Sequence, residues 1–80
     1  MTEEKIFEGL NKIFRSVFDD KSITVTRKTT ADDIDDWDSL EHINLIGAVE
    51  RFFKMKFSMK EVSSMKNVGE MADIISQRCK

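Results

Sequence analysis

Ser39 and His42 are the two residues whose side chains could act together as a nucleophile and a base. They lie three positions apart, so on a helix the hydroxyl and the imidazole would be neighbours. Catalysis by such a pair also requires an oxyanion hole, a group that orients the imidazole and a pocket that excludes water. No glycine-rich turn is near Ser39, and a chain of 80 residues has little volume for a pocket. The sequence therefore favours a packing or partner-facing role for His42.

A cluster of aspartates just before the middle of the chain raises calcium binding as a second chemistry. An EF-hand loop that starts at Asp33 would place Asp38 where the motif has glycine and Asn44 where it has a bidentate glutamate. A loop that starts at Asp36 would place Gly47 at the glutamate position. Both registers fail, and no group of Cys and His residues could hold zinc. We therefore expect no metal site.

Asp38 and Ser39 suggest a third chemistry, the attachment of a phosphate ester. Asp38, followed three residues later by Glu41, has the spacing of a helix N-cap. Ser39 would then take the first helical position, with its hydroxyl free of the capping role. A phosphodiester on that oxygen would lie beside unpaired backbone N–H groups, at the positive end of the helix dipole. The start of this helix is therefore a favourable place for a covalent phosphate group.

The charges are distributed unevenly along the chain. Residues 29–50 contain seven acidic residues and no Lys or Arg, although the formal net charge of the whole chain is only −2. A surface that binds nucleic acid has the opposite sign, so no nucleic-acid partner is expected. The acidic segment predicts basic protein surfaces as partners, with a solvated acidic loop as the alternative.

The first helix that must support this region is predicted by apolar residues at spacings of three and four, with Thr2 as its N-cap. These residues are Ile6, Phe7, Leu10, Ile13, Phe14, Val17 and Phe18. After Asp20 the periodicity is lost until about residue 38. This predicts a long loop, which Ile34 and Trp37 would anchor to the core.

The second helix begins after Asp38 and has two apolar sides. The side expected to face the core consists of Leu45, Ile46, Val49, Phe52 and Phe53. Leu40, Ile43 and Gly47 lie on another side. The helix therefore has more apolar surface than one core contact requires, which is typical of a partner site.

Two further helices are predicted by capping pairs, Ser58 with Glu61 and Asn67 with Glu70. The third helix is short and runs to about Lys66, and its inward residues are Val62 and Met65. The fourth has the apolar residues Val68, Met71, Ala72, Ile74 and Ile75. The fold class is therefore all-α, a small four-helix bundle of three main helices and one short helix, with a long loop between helices 1 and 2.

Length and composition predict a single domain that spans residues 1–80. The longest uninterrupted apolar run, residues 45–49, is far below the ~18 residues that cross a bilayer. The N-terminal residues are polar, unlike those of a signal peptide, and a single cysteine cannot form an internal disulfide. We therefore expect a reduced, cytoplasmic protein that does not insert into membranes.

The motif Asp38-Ser39-Leu40 and the apolar residues after it resemble the second helix of the acyl carrier proteins. The matching residues after the motif are Ile43, Leu45, Ile46, Val49, Glu50, Phe53 and Phe57. The resemblance covers nearly the whole chain, because the first helix, the long loop, the short helix and the last helix follow in the same order. The tripeptide alone is weakly specific, but its place at the start of an apolar helix near mid-chain in a small acidic protein is specific.

The resemblance implies that Ser39 bears 4′-phosphopantetheine, taken from coenzyme A, and that this arm carries acyl groups as thioesters. Asp38 and Leu40 would border the cofactor. The implied partners are a phosphopantetheinyl transferase and the acyl-loading and acyl-transfer or synthase enzymes, which would dock through basic surfaces. The implied docking residues are Asp36, Glu41, Ile43, Gly47, Glu50, Met65 and Val68. The chain would then be a monomeric carrier and not an enzyme, because the thioester chemistry belongs to the cofactor.

Three departures from the fatty-acid carriers bear on the pathway. The distal end of the second helix turns basic, through Arg51, Lys54 and Lys56, with Lys60 following. Gly47 stands where those carriers often have a bulky apolar residue, and Trp37 follows an acidic pair where they have small residues. These departures favour a specialised pathway over general fatty-acid synthesis. An aminoacyl or short-acyl carrier fits equally well. The alternatives to an acyl carrier are an aminoacyl or peptidyl carrier and an unmodified helical adaptor.

Overall fold

A computed structural model describes residues 2–79 as four α-helices, which we number in chain order. α1 spans Glu3–Val17, α2 spans Ser39–Phe53, α3 spans Met59–Ser64 and α4 spans Val68–Arg78. The connection between α1 and α2 contains one turn of 3₁₀ helix, Ala31–Asp33. Residues 2–79 contain no strand. The prediction of an all-α fold with three main helices and one short helix is confirmed.

α1 is the helix against which both α2 and α4 pack. The Thr2 hydroxyl accepts a hydrogen bond from the Lys5 N–H and caps the helix, as the sequence predicts. The apolar stripe of α1 supplies its buried side chains, which are Ile6, Leu10, Ile13 and Phe14. α1 therefore forms the centre of the core.

α2 buries four of the five residues predicted to face the core: Leu45, Ile46, Val49 and Phe53. The prediction was wrong for Phe52, whose side chain is 52% exposed. The Phe52 ring lies over Gly9 of α1 at the edge of the interface, where a Cβ on Gly9 would be 2.7 Å from it. The neighbouring Phe53 takes the inward position, and its ring centroid lies 4.9 Å from that of Phe52.

α3 is the least buried helix of the bundle. It begins with the predicted capping box, in which the Ser58 hydroxyl accepts from the Glu61 N–H and the Glu61 carboxylate accepts from the Ser58 N–H. No residue of α3 is fully buried, and Val62 and Met65 are partly buried against the core. α3 therefore rests on the surface of the other three helices.

α4 begins at the predicted cap, because the Asn67 side chain accepts a hydrogen bond from the Glu70 N–H. The first two N–H groups of this helix, of Val68 and Gly69, donate to the carbonyls of Thr29 and Arg27 in the α1–α2 connection. Backbone carbonyls of the connection therefore satisfy N–H groups that a helix start leaves without partners.

The α1–α2 connection is held against α1 by two polar side chains. Asn11 Oδ1 accepts from the Val25 N–H at 2.7 Å, and Arg15 Nε donates to the Ile23 carbonyl at 2.6 Å. These contacts bury Val25. At the end of the connection the Trp37 ring packs edge-on against Phe14, with centroids 5.3 Å apart. The connection therefore follows one fixed path and delivers the chain to the start of α2.

Candidate functional site

Ser39 is the first residue of α2, and its side chain is exposed to solvent. The preceding residue, Asp38, caps the helix, because its Oδ1 accepts a hydrogen bond from the Glu41 N–H at 2.9 Å. The Ser39 hydroxyl is therefore not needed for capping. It has no hydrogen-bond partner among residues 2–79. The Ser39 hydroxyl is therefore accessible from solvent.

The start of α2 is electrostatically suited to an anion on Ser39. The N–H of His42 donates to the Asp38 carbonyl, and that of Glu41 donates to the Asp38 side chain. The N–H groups of Ser39 and Leu40 have no partner within residues 2–79. Unpaired N–H groups at the positive end of a helix of 15 residues stabilise a nearby phosphate. The residues present therefore fit a phosphodiester at this position.

A groove with a volume of about 440 Å³ opens beside Ser39. Its walls come from the end of the α1–α2 connection, the first turn of α2, and α3 with the residues that follow it. The lining side chains include Trp37, Val62, Met65 and Met71. The groove also has polar lining residues, among them His42 and Lys66, so it presents both apolar and polar side chains next to an exposed hydroxyl.

His42 contacts both walls of this groove through its two ring nitrogens. Trp37 Nε1 donates to His42 Nδ1 at 3.1 Å, and His42 Nε2 lies 3.1 Å from the Val62 carbonyl oxygen of α3. Both nitrogens are engaged, so neither is available to take a proton from Ser39. The arrangement does not form the nucleophile and base pair that the spacing of Ser39 and His42 allows.

Beside Ser39, α2 exposes two large apolar side chains. Leu40 is 67% exposed and Ile43 is 65% exposed, which agrees with the second apolar side predicted for this helix. Glu41 follows Leu40 in the first turn of α2 and accepts a hydrogen bond from Asn44 Nδ2. Asp36 is exposed just before the helix, with a left-handed backbone (φ 70°). An apolar surface with acidic groups at its edge therefore surrounds the serine.

Val68 does not belong to this surface, which corrects the sequence prediction. Its side chain is fully buried in the core, because the first turn of α4 is covered by the carbonyls of the α1–α2 connection. Met65 is partly buried and lines the groove instead of the outer face. Gly47 and Glu50 are partly exposed, but the Glu50 carboxylate accepts a hydrogen bond from the Phe57 N–H at 2.9 Å. Glu50 therefore also has a structural role.

The distal end of α2 and the segment after it carry a cluster of exposed cations. Its members are Arg51, Lys54, Lys56 and Lys60. None of the four forms an ion pair with any residue between 2 and 79. Positive charge at this end therefore remains uncompensated and faces solvent, whereas the end near Ser39 is acidic.

Among the described residues, no three His, Cys, Asp or Glu side chains come together as ligands for a metal ion. Two of the aspartates before Ser39 instead accept hydrogen bonds from backbone N–H groups. Asp33 Oδ2 accepts from the Thr30 N–H, and Asp38 caps α2. In the same part of the chain, no helix has the length and apolar character needed to span a bilayer.

The contact between Trp37 and His42 is the feature of the site that the sequence did not predict. The sequence placed Trp37 against the bundle, and the Phe14 contact fits this, but it gave no partner for the indole N–H. The two residues are five positions apart and one of them lies outside a helix, so helical spacing could not pair them. The sequence did hold a chemical indication of this contact. A partly buried indole N–H usually has a hydrogen-bond acceptor, and the ring nitrogens of His42, the only histidine, can accept one.

Several solved chains are similar to this one, and the following is an example. It is the solution NMR structure of the holo acyl carrier protein from Geobacter metallireducens, with 50% sequence identity and a TM-score of 0.84. The match covers 90% of this chain and 83% of the other. No protein-family model matches the chain, and no curated protein matches it significantly.

Proposed function

This chain belongs to the acyl carrier protein family, and from that premise we propose that Ser39 is the residue to which its 4′-phosphopantetheine is attached. Members of this family are carriers and not enzymes. The single observation that carries the assignment is the position of Ser39, whose exposed, unpaired hydroxyl lies at the start of α2 beside a groove. When bound, the prosthetic group supplies a thiol that holds an acyl chain as a thioester.

Ser39 and the residues around it contribute to the attachment reaction in different ways. The Ser39 oxygen forms the new phosphodiester bond, and the nucleotide portion of coenzyme A leaves. Because both ring nitrogens of His42 are engaged, this ring is not the acceptor of the Ser39 proton, and we assign that proton to a base on the transferase. Asp38 keeps the helix start in place, and the free N–H groups of Ser39 and Leu40 stabilise the attached phosphate.

Intact-mass spectrometry tests the attachment site directly. The apo protein is incubated with coenzyme A and a phosphopantetheinyl transferase of broad specificity, and it should gain the mass of one phosphopantetheine. Ser39→Ala should gain nothing. Ser76→Ala, which removes an exposed hydroxyl from α4, is the matched control and should gain the full increment. An unmodified wild-type protein would contradict the proposal and would favour an adaptor that binds partners without a cofactor.

The surface around Ser39 is the proposed docking site for partner enzymes. It consists of the exposed Leu40 and Ile43 with Asp36 and Glu41 beside them, while Gly47 and Glu50 continue it along α2. Partners that fit have an apolar contact patch with basic residues at its edge. The transferase and the acyl-loading and acyl-transfer or synthase enzymes would use this same surface, because each must reach the same arm.

The basic distal end of α2 supports a specialised pathway over general fatty-acid synthesis. A partner that covers the whole of α2 must complement acidic groups near Ser39 and uncompensated cations near Lys54. This limits the set of enzymes that the carrier serves. We further infer that residues 1–80 form one carrier domain that acts as a monomer in the cytoplasm, and gel filtration coupled to light scattering checks the oligomeric state.

A further inference from the structure

Both ring nitrogens of His42 form hydrogen bonds, and these bonds determine which nitrogen carries the hydrogen. The indole N–H of Trp37 can only donate, so His42 Nδ1 must be the unprotonated acceptor. The Val62 carbonyl can only accept, so His42 Nε2 must carry the hydrogen. The two contacts together therefore select the neutral ring with its proton on Nε2.

Among residues 2–79, the bond from His42 to Val62 is one of two polar side-chain contacts that hold α3 to the other helices. The second is a bidentate ion pair between Glu61 of α3 and Arg78 of α4, with N–O distances of 2.6 and 2.8 Å. Hydrophobic attachment is weak, since no residue of α3 is fully buried. An element with few buried contacts opens at low free-energy cost. The loss of a single hydrogen bond should therefore change the opening free energy of α3 by a measurable amount.

We propose that His42 is a positioning residue that clamps Trp37 and α3 to the first turn of α2 and so sets the shape of the groove beside Ser39. The groove is lined by both partners of the clamp and by Ser39 itself. If α3 is released, the wall formed by Val62 moves away from the serine. The link to modification rests on the proposed function of Ser39, whereas the clamp itself is a property of the apo protein.

Two substitutions separate the hydrogen bonds from the bulk of the ring. His42→Gln keeps one acceptor and one donor, whereas His42→Phe keeps an aromatic ring and removes both bonds. In the apo protein we measure the NMR shift of the indole N–H and the hydrogen-exchange rates of the amides of α3. His42→Phe should shift the indole signal and accelerate exchange in α3 by about tenfold, the order expected for one lost hydrogen bond. In His42→Gln the indole shift and the α3 exchange rates should both lie close to the wild-type values.

The same variants are then assayed as substrates of the transferase. The kcat/KM for modification should fall several-fold in His42→Phe and recover in His42→Gln. Lys66→Gln, which changes the groove lining without touching either bond, is the control for the NMR measurements and should leave the indole signal in place.

An unchanged indole shift and unchanged α3 exchange in His42→Phe would overturn the clamp. If both change while kcat/KM stays at the wild-type value, the positioning role toward Ser39 is overturned. If His42→Phe does not fold, His42→Leu, which also removes both hydrogen bonds, takes its place in the same measurements. Failure of the attachment itself would appear as an unmodified wild-type protein with normal NMR behaviour, so the two proposals fail in different measurements.

Discussion

At position 69 the lack of a side chain allows the α1–α2 connection to reach the start of α4. A Cβ built on Gly69 would lie 2.8 Å from the Arg27 carbonyl oxygen and 3.1 Å from the Arg27 Cβ. The same carbonyl accepts the Gly69 N–H, so neither group can move away without losing that bond. The requirement for glycine at this position therefore comes from a close approach of two backbones.

Gly69→Ala should lower the free energy of unfolding by about 1–3 kcal/mol, because the added methyl group forces the two backbones apart. Gly47→Ala is the matched control. Its Cβ would meet nothing closer than the end of the Arg51 side chain at 3.6 Å, so the better helix former should raise stability by up to about 1 kcal/mol. Urea denaturation of both variants checks this, and equal effects of the two substitutions would contradict the account.

Of the two glutamates of the proposed docking surface, Glu41 is the better one for testing docking separately from stability. Its carboxylate accepts one surface hydrogen bond, from Asn44, and the residue follows the exposed Leu40 in the first turn of α2. Glu41→Lys should lower kcat/KM for modification by the transferase several-fold, mainly through slower association, with little change in stability. Glu8→Lys on α1 makes the same charge change on an exposed site away from Ser39 and is the control.

Glu50→Lys should behave differently, because the Glu50 carboxylate accepts the Phe57 N–H. This substitution should lower stability as well as turnover, and a urea titration separates the two effects. If Glu41→Lys and the wild type are modified with the same kcat/KM, the acidic residues beside Leu40 do not contribute to docking.

At the level of single residues, the sequence predicted the roles that depend on local spacing. Asp38 caps α2, Ser39 follows it, and Leu40 and Ile43 are exposed, all of which follow from positions within one helix. The clamp made by His42 and the burial of Val68 depend on the path of a connection without periodicity. Such contacts are set by tertiary packing and have no signature at a fixed spacing.

The end of α2 carries local backbone strain that a substitution can remove. Lys54 has φ 55° and ψ 49°, the left-handed conformation in which a side chain with a Cβ is disfavoured. Lys54→Gly should stabilise the protein by roughly 0.5–1 kcal/mol, after allowance for the greater freedom of glycine in the unfolded chain. Lys54→Ala, which removes the charge but keeps the Cβ, should give no such gain, and thermal unfolding of both variants compares the effects.

The attachment of α3 should depend on pH through Glu61. The hydrogen bonds from Arg78, and then that from the Ser58 N–H, lower the pKa of Glu61 from 4.5 to about 2. Because the folded-state pKa is lowered, the stabilising effect is fully present above about pH 4.5 and is lost as the pH falls towards 2. The stability difference between the wild type and Arg78→Ala should therefore be constant near neutral pH and shrink below pH 4.5.

Amide exchange in α3 gives an independent measurement of the same contact. After correction for the intrinsic pH dependence of exchange, protection in the wild type should decrease over the acidic range, and Arg78→Ala should show low protection at every pH. Arg27→Ala removes a comparable exposed pair to Asp73 and Glu3 and should leave α3 protection unchanged. A constant difference between the wild type and Arg78→Ala down to pH 2 would contradict the assignment.

At the level of elements, the predicted helix starts were accurate because each has its own capping residue. Thr2, Asp38, Ser58 and Asn67 all accept a hydrogen bond from the N–H three residues later. Phe52 was misplaced because it lies next to Phe53 and only one of the two rings can point into the core. Helical periodicity alone does not decide between neighbours at the edge of an apolar stripe.

For the whole molecule, the separation of charge along α2 is the property that most affects partners. Acidic groups surround Ser39, and the cluster of Arg51, Lys54, Lys56 and Lys60 has no ion-pair partner within residues 2–79. Such a distribution orients an approaching partner as well as attracting it. Orientation matters for a carrier, since the arm must point into the partner's active site.

Association with the transferase should therefore weaken as salt is added. Between about 0.01 M and 1 M ionic strength the Debye length falls from roughly 30 to 3 Å, so exposed charges on the two proteins stop attracting one another. We expect kcat/KM for modification to fall across this range while kcat changes little. In the Glu41→Lys variant kcat/KM should decrease less steeply with ionic strength. An equal decrease in the variant and the wild type would show that Glu41 does not contribute to the electrostatic attraction.

The overall arrangement of helices could be predicted because the core is a set of periodic stripes, from Ile6 on α1 to Ile75 on α4. The path of the α1–α2 connection could not be predicted. It is held by single polar contacts, from Asn11 to Val25 and from Arg15 to Ile23, between residues that share no pattern. This connection places both Trp37 and the carbonyls that meet α4, so the details of the site depend on the least periodic part of the chain.

The contact of Trp37 with His42 also gives the protein a built-in optical probe. The chain has one tryptophan and no tyrosine, so its intrinsic fluorescence comes almost entirely from an indole at the rim of the groove beside Ser39. A change in the emission maximum or in quenching would report on this groove without an attached label. Loading of the carrier, release of its cargo and binding of a partner could each be followed in real time on the unmodified sequence.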